Sequence, residues 1–143
     1  MSGAMIPYRH TAQYYETDRM GIIHHSNYIR WMEEARIDFL RQIGIRFSDL
    51  EASGLISPIY QVSCQYRRTV KFEDVVAIEV SIVKYSGVKL VLAYRMTNET
   101  TGELCADGET TSCFTNSDGR LISLKKEFSG LHELLESLVN GQK

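Results

Sequence analysis

A carboxylate, Asp18, stands seven residues ahead of a histidine, His25, with Gly21 between them. The stretch around them reads Tyr14-Tyr15-Glu16-Thr17-Asp18-Arg19-Met20-Gly21-Ile22-Ile23-His24-His25-Ser26-Asn27-Tyr28. His25 lies just before the first amphipathic helix of the chain. A helix N-terminus presents unpaired backbone N–H groups and the positive end of a dipole, which suit an anion or a polarised carbonyl oxygen. A carboxylate held beside it could attack that carbonyl or draw a proton from water aimed at it. The chemistry these residue types suit is acyl transfer.

The surrounding elements must bring the two groups together. Residues 7–15 alternate weakly as a first strand through Tyr8, His10, Ala12 and Tyr14, and residues 16–25 form a loop. Ser26 is the expected N-cap of a helix that runs to about Ile43, with Gly44 as its stop. Tyr28, Trp31, Met32, Ala35, Phe39 and Ile43 form a wide apolar stripe along it, broadened by Ile29 and Leu40. Arg30, Glu33, Glu34, Arg41 and Gln42 fall on the opposite face, where Arg30 and Glu34 are spaced as an i, i+4 pair.

Beyond a loop containing Gly54 and Pro58 the period changes to two. Strands are expected over residues 59–70, 75–85, 88–96 and 104–115, with a hairpin at Ser86-Gly87 and a further turn at 98–102. A terminal helix covers about 129–139. One α+β domain spanning residues 1–143 follows, with a curved antiparallel sheet around a long central helix. Such a sheet exposes edges, which favours pairing in a homodimer.

Composition narrows the partners. Hydrophobic residues make up 43% and charged residues 24% of the chain, and the net charge is -2, so nucleic acid gains no electrostatic hold. No apolar run approaches the roughly 20 residues of a membrane span, and no secretory leader is expected. Cys64, Cys105 and Cys113 are odd in number and form no C-x-x-C pair. Disulfides and a metal site are therefore not expected, and a cytoplasmic location is. Phosphate-cradling Gly-rich loops are missing too, so no nucleotide is bound in that way.

The segment Tyr14-x-x-x-Asp18-x-x-Gly21-x-x-x-His25-x-Asn27-Tyr28, followed by Trp31-Met32-Glu33-x-Ala35-Arg36, resembles the active-site segment of the 4-hydroxybenzoyl-CoA thioesterase family. Within it the YbgC-type acyl-CoA thioesterases, which have the hot-dog fold, are the most similar. The motif covers about residues 10–45, and the strand pattern agrees with it to about residue 118. The resemblance implies that Asp18 is the catalytic carboxylate, acting as nucleophile or general base. It implies that the backbone N–H of His25 donates to the thioester oxygen, that Tyr14 lines the site, and that Gly21 lets the turn approach substrate.

Several further residues become candidates on the same footing. His24 is either a surface residue or a wall of the site, and Asn27 either caps the helix or shapes the site. Tyr28 belongs to the core stripe and is placed to line an acyl tunnel. Coenzyme A would enter as part of the substrate, with no separate cofactor, and its phosphates need cations. Arg67, Arg68 and Lys89, at strand ends, could supply them. The implied activity is hydrolysis of an acyl-CoA thioester by a cytoplasmic homodimer or homotetramer in fatty acid metabolism. Its rivals are an acyl-carrier-protein thioesterase and a non-catalytic acyl-CoA binding module.

Overall fold

The computed structural model describes residues 5–141. The segments of period two form one sheet from β1 (Tyr8–Thr11), β2 (Ile59–Tyr66), β3 (Val75–Tyr85), β4 (Lys89–Asn98) and β5 (Glu103–Cys113). Neighbours are antiparallel throughout, in the order β1-β3-β4-β5-β2. At the hairpin between β3 and β4 the Ser86 N–H donates to the Lys89 carbonyl at 3.0 Å. Gly87 takes a φ of 92° there, which only glycine adopts at little cost.

The central helix α1 covers Ser26–Gln42, and Gly44 follows with φ 95° as its left-handed stop. Tyr28, Trp31, Met32, Ala35, Phe39 and Leu40 are all buried, as the stripe predicts, whereas Ile43 at its end is only partly buried and Ile29, expected to broaden it, is 43% exposed. α1 touches both edge strands, β1 and β2, as well as β3. The edges of a flat five-stranded sheet would lie about 19 Å apart, whereas a helix is only about 10 Å wide. The sheet must therefore curl around α1, as expected.

That embrace is tightest at Gly108 on β5. A Cβ there would run into the Ser63 carbonyl of β2 and the terminal methyl of Met32 on α1. The Met32 methyl can swing away, but the strand backbone cannot. Gly108→Ala is expected to cost about 1–3 kcal/mol of stability, read as a lowered urea midpoint at unchanged slope.

The structure departs from the expected elements where side chains reach across the fold. The first strand ends at Thr11 rather than residue 15, and Tyr14–Glu16 form a single 3-10 turn. The turn forms because the Glu16 carboxylate folds back onto the Gln13 N–H at 2.9 Å. β2 stops at Tyr66 because the N–H groups of Arg67 and Arg68 both converge on the Cys105 carbonyl, at 2.8 and 3.1 Å. A short helix, α2 (Phe47–Ala52), occupies the predicted loop, too brief to show a period. Near the C-terminus α3 (Leu124–Glu127) precedes α4 (Ser129–Gly141), which matches the predicted terminal helix to within two residues.

Two charge assignments on α1 change. No Arg30–Glu34 pair forms among the described residues, because Glu34 instead accepts the Tyr8 hydroxyl at 2.8 Å and faces His10. Arg36, unassigned by periodicity, is buried. Its guanidinium donates to Glu33 at 2.9 and 3.1 Å and to the Ser57 carbonyl at 2.7 Å, and it lies over the Phe47 ring. The cysteines are all free, and burial pushes the Cys105 thiol up to about 11. No described helix is long and apolar enough to cross a membrane.

Candidate active site

The loop between the 3-10 turn and α1 closes on itself. The Asp18 N–H donates to the Ile22 carbonyl at 2.8 Å and the Gly21 N–H to the Asp18 carbonyl at 3.0 Å. Gly21 has φ 81°, a backbone conformation that glycine adopts at little cost, so the turn needs glycine here. The Asp18 side chain takes part through one oxygen only. Oδ1 accepts the Met20 N–H at 2.8 Å and, more weakly, the Ile22 N–H at 3.4 Å. Oδ2 has no hydrogen-bond partner among the described residues. The carboxylate is thus held firmly and half free.

At the other end of the loop, helix α1 begins at Ser26, with His25 in the N-cap position at φ -57° and ψ -25°. The expected cap was Ser26; the difference arises because His24 Nδ1 accepts the Ser26 N–H at 3.2 Å and does the capping from one residue earlier. The His24 carbonyl accepts the N–H of Asn27 at 3.0 Å and its side-chain amide at 3.4 Å. In a trans peptide the carbonyl and the following N–H point opposite ways. The His25 N–H is accordingly turned away from the helix, and it makes no hydrogen bond among the described residues.

Asp18 and His25 line one open cleft of about 260 Å³, together with Tyr28, Tyr66, Arg67 and Arg68. Five predicted site residues are therefore brought together. The Arg67 guanidinium makes two bonds to Asp107, at 2.9 and 3.2 Å, and Arg68 lies 3.5 Å from Glu103. Both remain exposed at the rim.

Other predicted residues lie elsewhere. Tyr14 is 75% exposed and meets the Phe72 ring edge-on, outside the cleft. His24 is exposed and stacks on His25 at 4.2 Å. Asn27 is buried, and its amide also donates to the Glu16 carbonyl at 2.9 Å, so it braces the loop rather than facing the cleft. Lys89 pairs with Cys113, whereas Tyr66 pairs with Ala106, so Lys89 lies at the far end of the sheet from this cleft. Seven residues of β5 separate those rows, about 23 Å of strand.

Tyr66 went unassigned in the sequence, although it closes the alternating strand just before Arg67-Arg68. Its hydroxyl donates to the His25 carbonyl at 3.1 Å, and its ring meets Tyr28 edge-on at 5.0 Å. Tyr66→Phe keeps the ring and loses that bond, worth about 1 kcal/mol net. Turnover should fall about fivefold in steady-state assays, with the melting temperature lowered by only about 2–5 °C.

A larger cleft, about 670 Å³, opens between the segment Met5–Tyr8 and β3. It contains neither Asp18 nor His25, and its charged lining residues are the acids Asp38, Glu79, Asp107 and Glu109 and the single cation Arg95.

Residues 12–135 match the family model described as the thioesterase-like superfamily. The chain belongs to that superfamily. The match takes in the Asp18 loop, α1 and the whole of β2–β5. The thioesterase-like assignment also agrees with individual relatives. YneP of Bacillus subtilis, provisionally named an acyl-CoA thioesterase, is 30% identical over 87% of this chain and 90% of its own length. The acyl-CoA thioester hydrolase YbgC of Escherichia coli is 28% identical over 59% of this chain and 64% of its own. Among solved structures, the DHNA-CoA thioesterase of Staphylococcus aureus superposes with a TM-score of 0.89 at 33% identity, covering 95% of this chain and 93% of that one. The curled sheet around α1 is the hot-dog fold of these thioesterases, and thioester hydrolysis is the enzyme class of this chain.

Proposed function

We propose that the chain hydrolyses acyl-CoA thioesters to a free carboxylic acid and coenzyme A, with Asp18 and the His25 N–H as the reacting pair. One observation supports the proposal: Asp18, whose carboxylate keeps one oxygen free, and His25, whose N–H is unpaired among the described residues, line the same cleft. A thioester carbonyl is already electrophilic and its thiolate leaves readily, so the barrier asks chiefly for charge stabilisation on oxygen and a positioned attacking group. The free Oδ2 attacks the carbonyl carbon, or removes a proton from a water that does so. Negative charge then develops on the carbonyl oxygen, where the His25 N–H donates. Collapse breaks the C–S bond, and the thiolate takes up a proton as coenzyme A. On the water route the carboxylic acid is then free; on the nucleophilic route water hydrolyses the acyl–Asp18 anhydride, releasing the acid and restoring the carboxylate.

Coenzyme A is here part of the substrate and no further cofactor takes part. Arg67 and Arg68 suit its phosphates, as exposed cations lining the cleft that would exchange Asp107 and Glu103 for phosphate oxygens. We also propose that the working unit is a cytoplasmic homodimer or homotetramer. In support, β2 is an edge strand and leaves Tyr60, Val62 and Tyr66 exposed along an unpaired backbone.

A thiol-release assay tests the reading across short, long and aromatic acyl-CoA esters and the same acyl groups on acyl carrier protein. Turnover of at least one coenzyme A ester is expected. Tight binding without release of thiol would make the chain a sensing module instead, and release from the carrier protein alone would move the substrate class.

A further inference from the structure

Glu16 is a buried charge that this reaction does not use. It is 5% exposed, two residues before Asp18. Its Oε1 accepts the Gln13 N–H at 2.9 Å and faces His10 Nε2 at 2.9 Å, while Oε2 accepts the Trp31 indole N–H at 2.8 Å. Its backbone carbonyl accepts the His24 N–H at 2.9 Å and the Asn27 side-chain amide at 2.9 Å. One residue thereby ties β1, the 3-10 turn, the far end of the loop and two turns of α1 to a single point.

We infer that Glu16 is the positioning residue of the site, holding against α1 both ends of the loop that carries Asp18 at one end and the His25 N–H at the other. The inference rests on the reading of Asp18 and His25 as the reacting pair. A carboxylate suits the place because its two oxygens are approached by three groups, two of them fixed N–H donors. A glutamine there would turn its own NH₂ toward at least one of them and push the loop away. Burial alone would raise the Glu16 pKa, but the bonds from Trp31, the Gln13 N–H and His10 outweigh it and hold the group below the usual carboxylate range. The side chain therefore holds its partners as an anion.

A displacement of about 1 Å between reacting groups lowers rates about 100-fold. Glu16→Gln is therefore expected to lower kcat about 10- to 100-fold while KM stays within about twofold. A merely structural role would not produce that split. Leu135→Ala serves as the control: Leu135 is buried in α4, which packs by the β3–β4 hairpin at the opposite end of the sheet. It should lower the melting temperature and leave kcat native.

Should Glu16→Gln not fold, Trp31→Phe removes one donor while keeping an aromatic ring, and kcat should fall several-fold with KM held. Native kcat in the folded Glu16 variant, or in Trp31→Phe where the first does not fold, would overturn the inference if Asp18→Asn is inactive. Near-native turnover by Asp18→Asn would overturn the reacting pair itself, and this inference with it.

Discussion

Asp18→Asn is expected to fold as the native protein does and to hydrolyse acyl-CoA about 10³-fold more slowly. The fold should survive because the asparagine carbonyl oxygen can take the place of Oδ1, accepting the Met20 N–H that closes the turn. What the amide cannot replace is Oδ2. It is neither a nucleophile of comparable strength nor a base, and general-base help alone contributes about 10²–10⁴-fold. The loss should appear in kcat with KM little changed, since the carboxylate acts on the reacting carbon and not on the coenzyme A moiety. Thiol release measured beside circular dichroism checks both halves of the expectation. A folded variant with native turnover would remove Asp18 from the chemistry.

The second large effect separates a backbone atom from a side chain. His25→Pro deletes the one N–H proposed to bind the carbonyl oxygen. The native φ of -57° is within the range that proline imposes, and the first positions of a helix tolerate proline because they need no N–H. Removal of an oxyanion donor costs about 10²–10³-fold in kcat, and that is the loss expected. His25→Ala keeps the N–H and discards the imidazole, which is exposed and rests on His24. Its kcat should fall less than tenfold. If alanine proved as damaging as proline, the imidazole would be the working group and the backbone assignment would fail.

These expectations connect the chemistry to the geometry of α1. On the proposed reading the helix start supplies the donor, the loop supplies the acid, and Glu16 sets the distance between them. Tyr66 adds a support from β2, the edge strand that the dimer proposal would pair. Variants at Glu16, Tyr66 and Asp18 thus report on one small assembly from three sides.

The sequence alone determined what depends on neighbours close along the chain. The i, i+3, i+4 stripe from Tyr28 to Phe39 located α1 because a helical face repeats every turn, and each buried residue announces the next. Alternation did the same for β3 and β4. The turn chemistry of Asp18 and Gly21 was legible because the turn closes within five residues. Resemblance to a known family then attached a reaction to that turn.

Only the tertiary structure decided what depends on residues far apart. Tyr66 reaches His25 across 41 positions, and His10 and Trp31 meet at Glu16 from separate elements. Tyr14 lies outside the Asp18 cleft because the bond from the Gln13 N–H to the Glu16 carboxylate replaced a strand with a 3-10 turn. Lys89 parted from Arg67 and Arg68 because antiparallel register places strand ends by pairing, not by composition. Periodicity reports which face of an element is buried. A polar side chain's partner is chosen by three-dimensional proximity, and local sequence carries almost no record of it.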